Sequence, residues 1–226
     1  LSKFIKTLKF DSVIFDCIIV LGGEFSEFEI FDKLPTATII AADSGFHNMI
    51  GANTKPHILI GDLDSHSDEE LEQMPLEIEI VKIVEQETND FEKAVQHAIR
   101  LEKKNLLVVG MNGGYLEHTL NNWSVFAKLS KLVNLVYFEK DRYAISLEKG
   151  VQLKTTKNEI ISIIPQPNAI LSTIGLKWEL DNYALSIGGK EGARNVAIGN
   201  EITIDVHLGE ILLFIDSKLP YTASYN

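Results

Sequence analysis

Two carboxylates, Asp62 and Asp64, stand directly after the apolar run at 58–60 in the stretch ILIGDLDS. Aspartate is a poor strand residue, so acids at the end of a buried strand need a reason. Two bare carboxylates this close repel each other unless a cation or hydrogen-bond donors sit between them. A third acid, Asp90, opens the segment NDFEK. Carboxylate oxygens are hard ligands. They suit Mg²⁺, which commonly takes one or two protein carboxylates and completes its shell with substrate phosphates. The partner that this stretch calls for is a Mg²⁺–nucleotide complex.

Other chemistry-bearing residues fall at equivalent places. AADSGFHN puts Asp43 and Gly45 after one apolar run, and GDLDS adds Ser65 after the next. EQETNDFEK supplies Asn89 and Lys93, and GMNGGYLEH supplies Gly113, Gly114, Glu117 and His118. Glycines let backbone amides approach phosphate oxygens, and helix N-termini favour anions. Each piece also has a plain structural reading. Asp64 and Ser65 can begin a turn, and Asn89 with Glu92 fits a capping box. Four successive strand ends carry acids or glycines, and together they point to a site. The six histidines show no zinc-type spacing, and His57, within an apolar run, reads as a core histidine. There is no Walker phosphate loop, G-x-S-x-G elbow or G-x-G-x-x-G fingerprint.

The elements that must position these residues come in two rhythms. Up to about residue 142, the runs CIIVL, TIIAA, HILI, IEIVKIV, NLLVVG and NLVYF alternate with helix-like segments such as 89–104. Near-continuous β-branched strands between helices predict an α/β domain, 1–142, with a mostly parallel sheet and helices on both faces. From 143 to 226, short strand candidates are separated by turn-forming stretches such as PQPN at 165–168 and HLGE at 207–210. This predicts an all-β, sandwich-like domain. In an open α/β sheet, ligands bind at the carboxyl ends of the strands, where the acids and glycines above are found.

The chain has 226 residues and a formal net charge of −11, which argues against nucleic acid as a partner. Cys17 is the only cysteine, so no internal disulfide can form, and its place in CIIVL suggests simple packing. Asp11 and Asp16 interrupt any apolar leader region, and no run approaches the roughly 20 apolar residues of a membrane helix. A soluble, cytoplasmic protein is the expectation.

ADSG (42–45), GDLDS (61–65), NDFEK (89–93), GG-x-x-E-H (113–118) and GLKW (175–178) occur in the order and spacing of thiamine pyrophosphokinases. The chain resembles that family over nearly its whole length. The resemblance implies transfer of the pyrophosphoryl group of ATP to the hydroxyl of thiamine, giving thiamine diphosphate and AMP. It implies Mg²⁺ and a homodimer with active sites shared between subunits. Carried over by position, Asp62, Asp64 and Asp90 are the metal ligands, and Asp43, Asp64 and Asp90 are the catalytic acids. Asp43, Gly45, Ser65, Asn89, Lys93, Gly113, Gly114, Glu117 and His118 are the ATP contacts, and Trp178 and Asn195 contact thiamine. A flat aromatic beside a cationic thiazolium is physically sensible. Three motifs depart from the family's usual pattern: Tyr115 stands for arginine with Glu117 for aspartate, Asn89 for a hydroxyl residue, and Arg194 before Asn195. Two other readings stay open: a pyrophosphokinase for another alcohol, such as a hydroxymethyl pterin, and a non-catalytic nucleotide-binding module.

Overall fold

The computed structural model describes residues 5–50, 52 and 54–226. They form two compact units, one of residues 14–140 and one that joins residues 5–13 to 141–226. The short strand β1 (Lys6–Lys9) belongs to the second unit.

The first unit is an α/β fold. Its strands are β2 (Cys17–Val20), β3 (Thr38–Ala42), β4 (Ile58–Gly61), β5 (Glu79–Lys82), β6 (Asn105–Val109) and β7 (Asn134–Glu139). Their order in the sheet is β7-β6-β2-β3-β4-β5, and every pairing is parallel. All residues of β2 and β4 are buried, as the continuous apolar runs require of strands covered on both faces. At the far end of the order, β5 is mostly exposed and carries Glu79 and Lys82, charges that discourage further strand pairing.

The crossovers contain α1 (Glu29–Lys33), a 3₁₀ segment at Asp43–Met49, α2 (Asp68–Glu72), α3 (Asp90–Arg100) and α4 (Leu116–Leu129). The face of α3 that packs on β2, β3 and β4 buries Phe91, Ala94, Val95 and Ala98. Ile99 lies at the rim of that face and is partly exposed. His57 departs from expectation. It precedes β4, is exposed, and accepts a hydrogen bond on Nδ1 from the Ile39 N–H at 3.0 Å.

The second unit is all β among its described residues. Besides β1 it contains β8 (Arg142–Leu147), β9 (Val151–Lys154), β10 (Ile160–Ile174), β11 (Tyr183–Ser186), β12 (Gly192–Val196), β13 (Glu201–Asp216) and β14 (Ser224–Tyr225). The long antiparallel pair β10 and β13 is its spine. On one edge of β13, residues 201–204 pair with β9 and residues 211–216 with β8. On the free edge of β10 lie β12 and β11.

Two features differ from the sequence expectation. PQPN and HLGE, read as turns between separate strands, lie inside β10 and β13. They face each other across a break in register between Pro165 and Ala169. There Gly209 has φ 82°, and a Cβ on it would meet the Asn168 carbonyl oxygen at 2.1 Å. The turn-like composition therefore marks a coordinated bulge, not a chain reversal. The other difference is β1, placed by the expected boundary at 142 in the first domain. It pairs in parallel with β9, and β14 closes on it antiparallel. A four-residue strand leaves no sequence record of a partner so distant along the chain.

Candidate active site

The strand order of the first unit reverses between β2 and β6. From β2 the chain proceeds outward through β3, β4 and β5, then returns to lay β6 on the opposite side. Such a switch point opens a crevice at the carboxyl ends of the two strands, because their crossovers leave in opposite directions. A cleft of about 420 Å³ lies there. The loop after β2 contributes Leu21, Gly22 and Gly23, and the loop after β6 contributes Met111, Gly113 and Gly114. Ser44, Asn89 and Asp90 complete the floor, and Tyr115, Glu117, His118, Asn121 and Asn122 form the α4 side.

Close packing surrounds the first two glycines, by a side chain at Gly22 and by backbone at Gly23. A Cβ on Gly22 would lie 2.0 Å from Ser44 Oγ, and one on Gly23 2.1 Å from the Asn112 carbonyl. Asn48 ties this loop down by donating from Nδ2 to the carbonyls of Leu21 and Gly23, at 2.7 and 2.5 Å. Asn89 caps α3, its Oδ1 accepting from the Glu92 N–H at 2.9 Å, and its amide reaches Asn122 on α4 at 3.3 Å. Asn89 is thus both the cap of α3 and a wall of the cleft, but the capping box is only half formed, since Glu92 Oε1 accepts from Lys128 at 2.6 Å. Gly45 backs onto the Val20 carbonyl and is not among the cleft's walls.

Beside the cleft, Asp43, Asp62 and Asp64 bring one carboxylate oxygen each to within 4.8 Å of one another. Local backbone geometry does this. Leu63 takes a left-handed conformation, φ 64°, and buries its side chain between the two exposed-side acids. Asp43 is also left-handed, φ 42°, at the start of the 3₁₀ segment. Non-glycine residues rarely adopt this region, and such strain concentrates at functional sites. Asp43 is buried. Its Oδ2 accepts from the Ser65 hydroxyl, while its Oδ1 is buried without a hydrogen-bond partner. Asp62 accepts from the Gln86 amide at 2.9 Å and from the Asp64 N–H at 3.3 Å. These donors, Gln86 first, hold its carboxyl below the usual carboxylate range.

Asp90 adjoins this group. A Cβ on Gly61 would come within 2.9 Å of Asp43 Cβ and 3.1 Å of Asp90 Oδ1, so only a glycine lets β4 end between them. Burial is the main force raising the Asp90 carboxyl above its ordinary range. The Lys93 ammonium opposes it, and the charges of Asp43 and Asp62 add to it. Lys93 is only 3% exposed and donates to Asp90 Oδ1 at 3.1 Å. The tightest carboxylate set thus contains Asp43 together with Asp62 and Asp64, while Asp90 is drawn toward Lys93.

In the second unit, Trp178 follows β10 in a loop and is 56% exposed. Asn195 on β12 is buried and clasps the Trp178 backbone. Its Oδ1 accepts from the Trp178 N–H at 3.1 Å, and its Nδ2 donates to the Trp178 carbonyl at 2.7 Å. Lys177 Nζ lies 4.7 Å from the centroid of the Trp178 ring, so the indole face already receives a cation. Arg194 lines a separate recess of about 410 Å³ with Arg142, Ser162 and Asp216, and neither Trp178 nor Asn195 is among its walls.

Residues 34–138 match the catalytic domain of thiamin pyrophosphokinase, and residues 142–209 match its vitamin B1 binding domain. The chain belongs to the thiamin pyrophosphokinase family. Thiamine pyrophosphokinase 1 of Oryza sativa subsp. japonica is 30% identical over 187 residues, covering 74% of this chain and 67% of that protein. Thiamin pyrophosphokinase 1 of Caenorhabditis elegans is 27% identical over 163 residues, 66% of this chain and 63% of that protein. The chain therefore spans about two thirds of the length of these relatives. Yeast thiamin pyrophosphokinase superposes with a TM-score of 0.77 at 17% identity, covering 91% of this chain and 87% of that one. The Candida albicans protein gives 0.76 at 13%, over 96% and 100%. These structural likenesses speak for the fold.

Family membership makes a diphosphotransferase fold of the first unit. Sequence reading missed Gly22, Gly23, Ser44, Asn121 and Asn122 in the cleft. Of these, the pair GG directly after the first parallel strand was the available signal. Among the described residues, no helix is long and apolar enough to cross a membrane.

Proposed function

We propose that the chain is a thiamine pyrophosphokinase, moving the pyrophosphoryl group of ATP to the hydroxyl of thiamine. The observation that carries this reading is a carboxylate cluster beside a glycine-walled cleft, in a chain that also matches the family's vitamin B1 binding domain. The cluster suits Mg²⁺: its ligands are all oxygens, and Asp43 Oδ1 is a buried acceptor that lacks a donor. Asp43, Asp62 and Asp64 would hold the ion, with Asp90 as a neighbouring fourth carboxylate. Bound there, Mg²⁺ would neutralise charge on the phosphates.

The cleft loops hold the nucleotide. Backbone amides around Gly22, Gly23, Gly113 and Gly114 approach its phosphates, and Asn89 and Ser44 orient it. Lys93 keeps the Asp90 carboxylate fixed at the cleft floor. A carboxylate of the cluster, Asp43 or Asp64, takes the proton of the attacking hydroxyl. Trp178 offers its indole face to the thiazolium, and Asn195 sets the height of that face through the backbone it clasps. Arg194, in its own recess beside Asp216, leaves the cationic substrate unopposed.

The test is AMP release from ATP and Mg²⁺, with thiamine, with a hydroxymethyl pterin, and with no alcohol. Thiamine-dependent AMP and thiamine diphosphate support the proposal. Release with the pterin alone reassigns the acceptor, and ATP binding without turnover identifies a nucleotide-binding module. The proposed homodimer with shared sites makes a separate demand. Asp64→Asn and Trp178→Ala chains, mixed and allowed to exchange subunits, should show more activity at low thiamine than the two assayed apart.

A further inference from the structure

Three more side chains converge on the other side of Asp43. His47 comes from the 3₁₀ segment, His66 from the loop before α2, and Glu70 from α2. One ligand atom of each lies within 4.8 Å of the others. The two imidazoles stack, with centroids 4.8 Å apart and planes at 29°, and Phe46 meets the His66 ring edge-on at 5.7 Å.

His66 is the informative member. Its side chain is only 1% exposed. Nε2 lies 3.3 Å from the Asp43 carbonyl oxygen and 4.0 Å from its Oδ1. Nδ1 is buried with no hydrogen-bond partner. Buried polar atoms are nearly always partnered, so an orphaned ring nitrogen needs an explanation. An imidazole with one nitrogen on a carboxylate or carbonyl and the other available is the arrangement of a metal-bound histidine and its orienting acid.

Glu70 fits the same picture. Its Oε2 accepts from the Ser67 N–H at 2.9 Å in a capping box, which leaves Oε1 outside that bond. That N–H chiefly, aided by the nearby histidines, holds the carboxyl below its ordinary range and thus anionic.

We propose that His47, His66 and Glu70 form a binding site for a divalent transition ion of the Zn²⁺ class, with the Asp43 backbone carbonyl orienting the His66 ring. Two imidazoles and a carboxylate are a common zinc ligand set that leaves one position open. A tetrahedral ion with bonds of about 2.0–2.1 Å spaces its ligand atoms about 3.4 Å apart, so the set must close slightly. His47 and Glu70 are exposed, so this closure falls to them, while His66 is buried. Nitrogen ligands select against Mg²⁺, which prefers the all-oxygen cluster. Asp43 touches both groups, with its carboxylate in the oxygen cluster and its backbone carbonyl against His66. An ion on His66 Nδ1 fixes an Nε2–H toward Asp43, so the nitrogen site adjoins and can bias the carboxylate site. This inference concerns metal binding and stands apart from the identity of the substrate.

The experiment titrates Zn²⁺ into the full chain by calorimetry, with Mg²⁺ in large excess to occupy the carboxylates. Co²⁺ absorption serves as a second readout. One equivalent should bind. His47→Ala and Glu70→Gln should each weaken binding at least about tenfold. Glutamine retains the capping box, so the second variant isolates the ligand. An Asp62→Asn, Asp64→Asn double variant should bind Zn²⁺ as the parent does. The site is refuted by no Zn²⁺ binding under excess Mg²⁺, by unchanged affinity in both ligand variants, or by loss of binding in the double variant.

Discussion

The two units present their candidate functional groups in opposite ways. In the first, the acids are held rigidly. Asp43 is buried, Leu63 pins the turn between Asp62 and Asp64, and Gly61 lets Asp90 approach. In the second, Trp178 stands in the open, and only its backbone is fixed, by a buried asparagine. Charge work needs atoms placed to a fraction of an ångström in a low-dielectric setting. Stacking on a flat ring tolerates looser placement, and an exposed ring keeps its face free. More than half exposed, Trp178 is not a core residue.

The comparison breaks first at the acids. Asp62→Asn and Asp64→Asn should each lower turnover well over tenfold at limiting Mg²⁺, since a neutral amide is a weaker ligand for a hard cation. Circular dichroism should stay unchanged, because both side chains lie toward solvent. Near-parental turnover in either variant would remove that carboxylate from the metal set.

Trp178→Ala should raise the thiamine KM by about ten- to a hundredfold and leave the ATP KM alone. Trp178→Phe should keep much of the affinity. A buried Trp→Ala change costs about 3–5 kcal/mol of stability. At 56% exposure the melting temperature should instead barely move. A large drop in Tm with an unchanged KM would falsify the binding role.

A smaller effect sharpens the same point. Lys177 lies over the indole and competes for a ring face. Such an exposed contact is worth about 0.5–1 kcal/mol, so Lys177→Met should lower the thiamine KM about two- to fivefold. An increase would mean that Lys177 helps to hold the substrate.

The smallest effect concerns acid stability. Asp62 has a folded-state pKa below its unfolded value, chiefly through Gln86. Its contribution is therefore present above the unfolded pKa and is lost as pH falls through the folded one. Gln86→Ala should move the Asp62 carboxyl titration, followed by NMR, back up toward the ordinary range. It should narrow the acid window of stability only slightly, because the group is largely solvated. An unmoved titration would show that the Asp64 N–H is the dominant donor.

Local residue patterns suffice for the alternation of apolar strands and helices in the first unit, the all-β character of the second, and the placing of acids and glycines at strand ends. Each of these is local: a strand covered on both faces must be a continuous apolar run, and a turn must use residues that tolerate it. GDLDS was legible because two acids are unusual directly after a buried strand.

What only the tertiary structure decided involves partners far apart along the chain. The apolar periodicity of β10 and β13 is the same whether PQPN and HLGE reverse the chain or bulge it, and facing Gly209 against Asn168 settles the matter. The switch point that makes Gly22, Gly23 and Ser44 part of the cleft depends on where β6 is laid, a choice made by whole-sheet packing. No histidine spacing announced His47 and His66. They stack because a 3₁₀ segment after β3 and a left-handed turn after β4 deliver them to the same point beside Asp43.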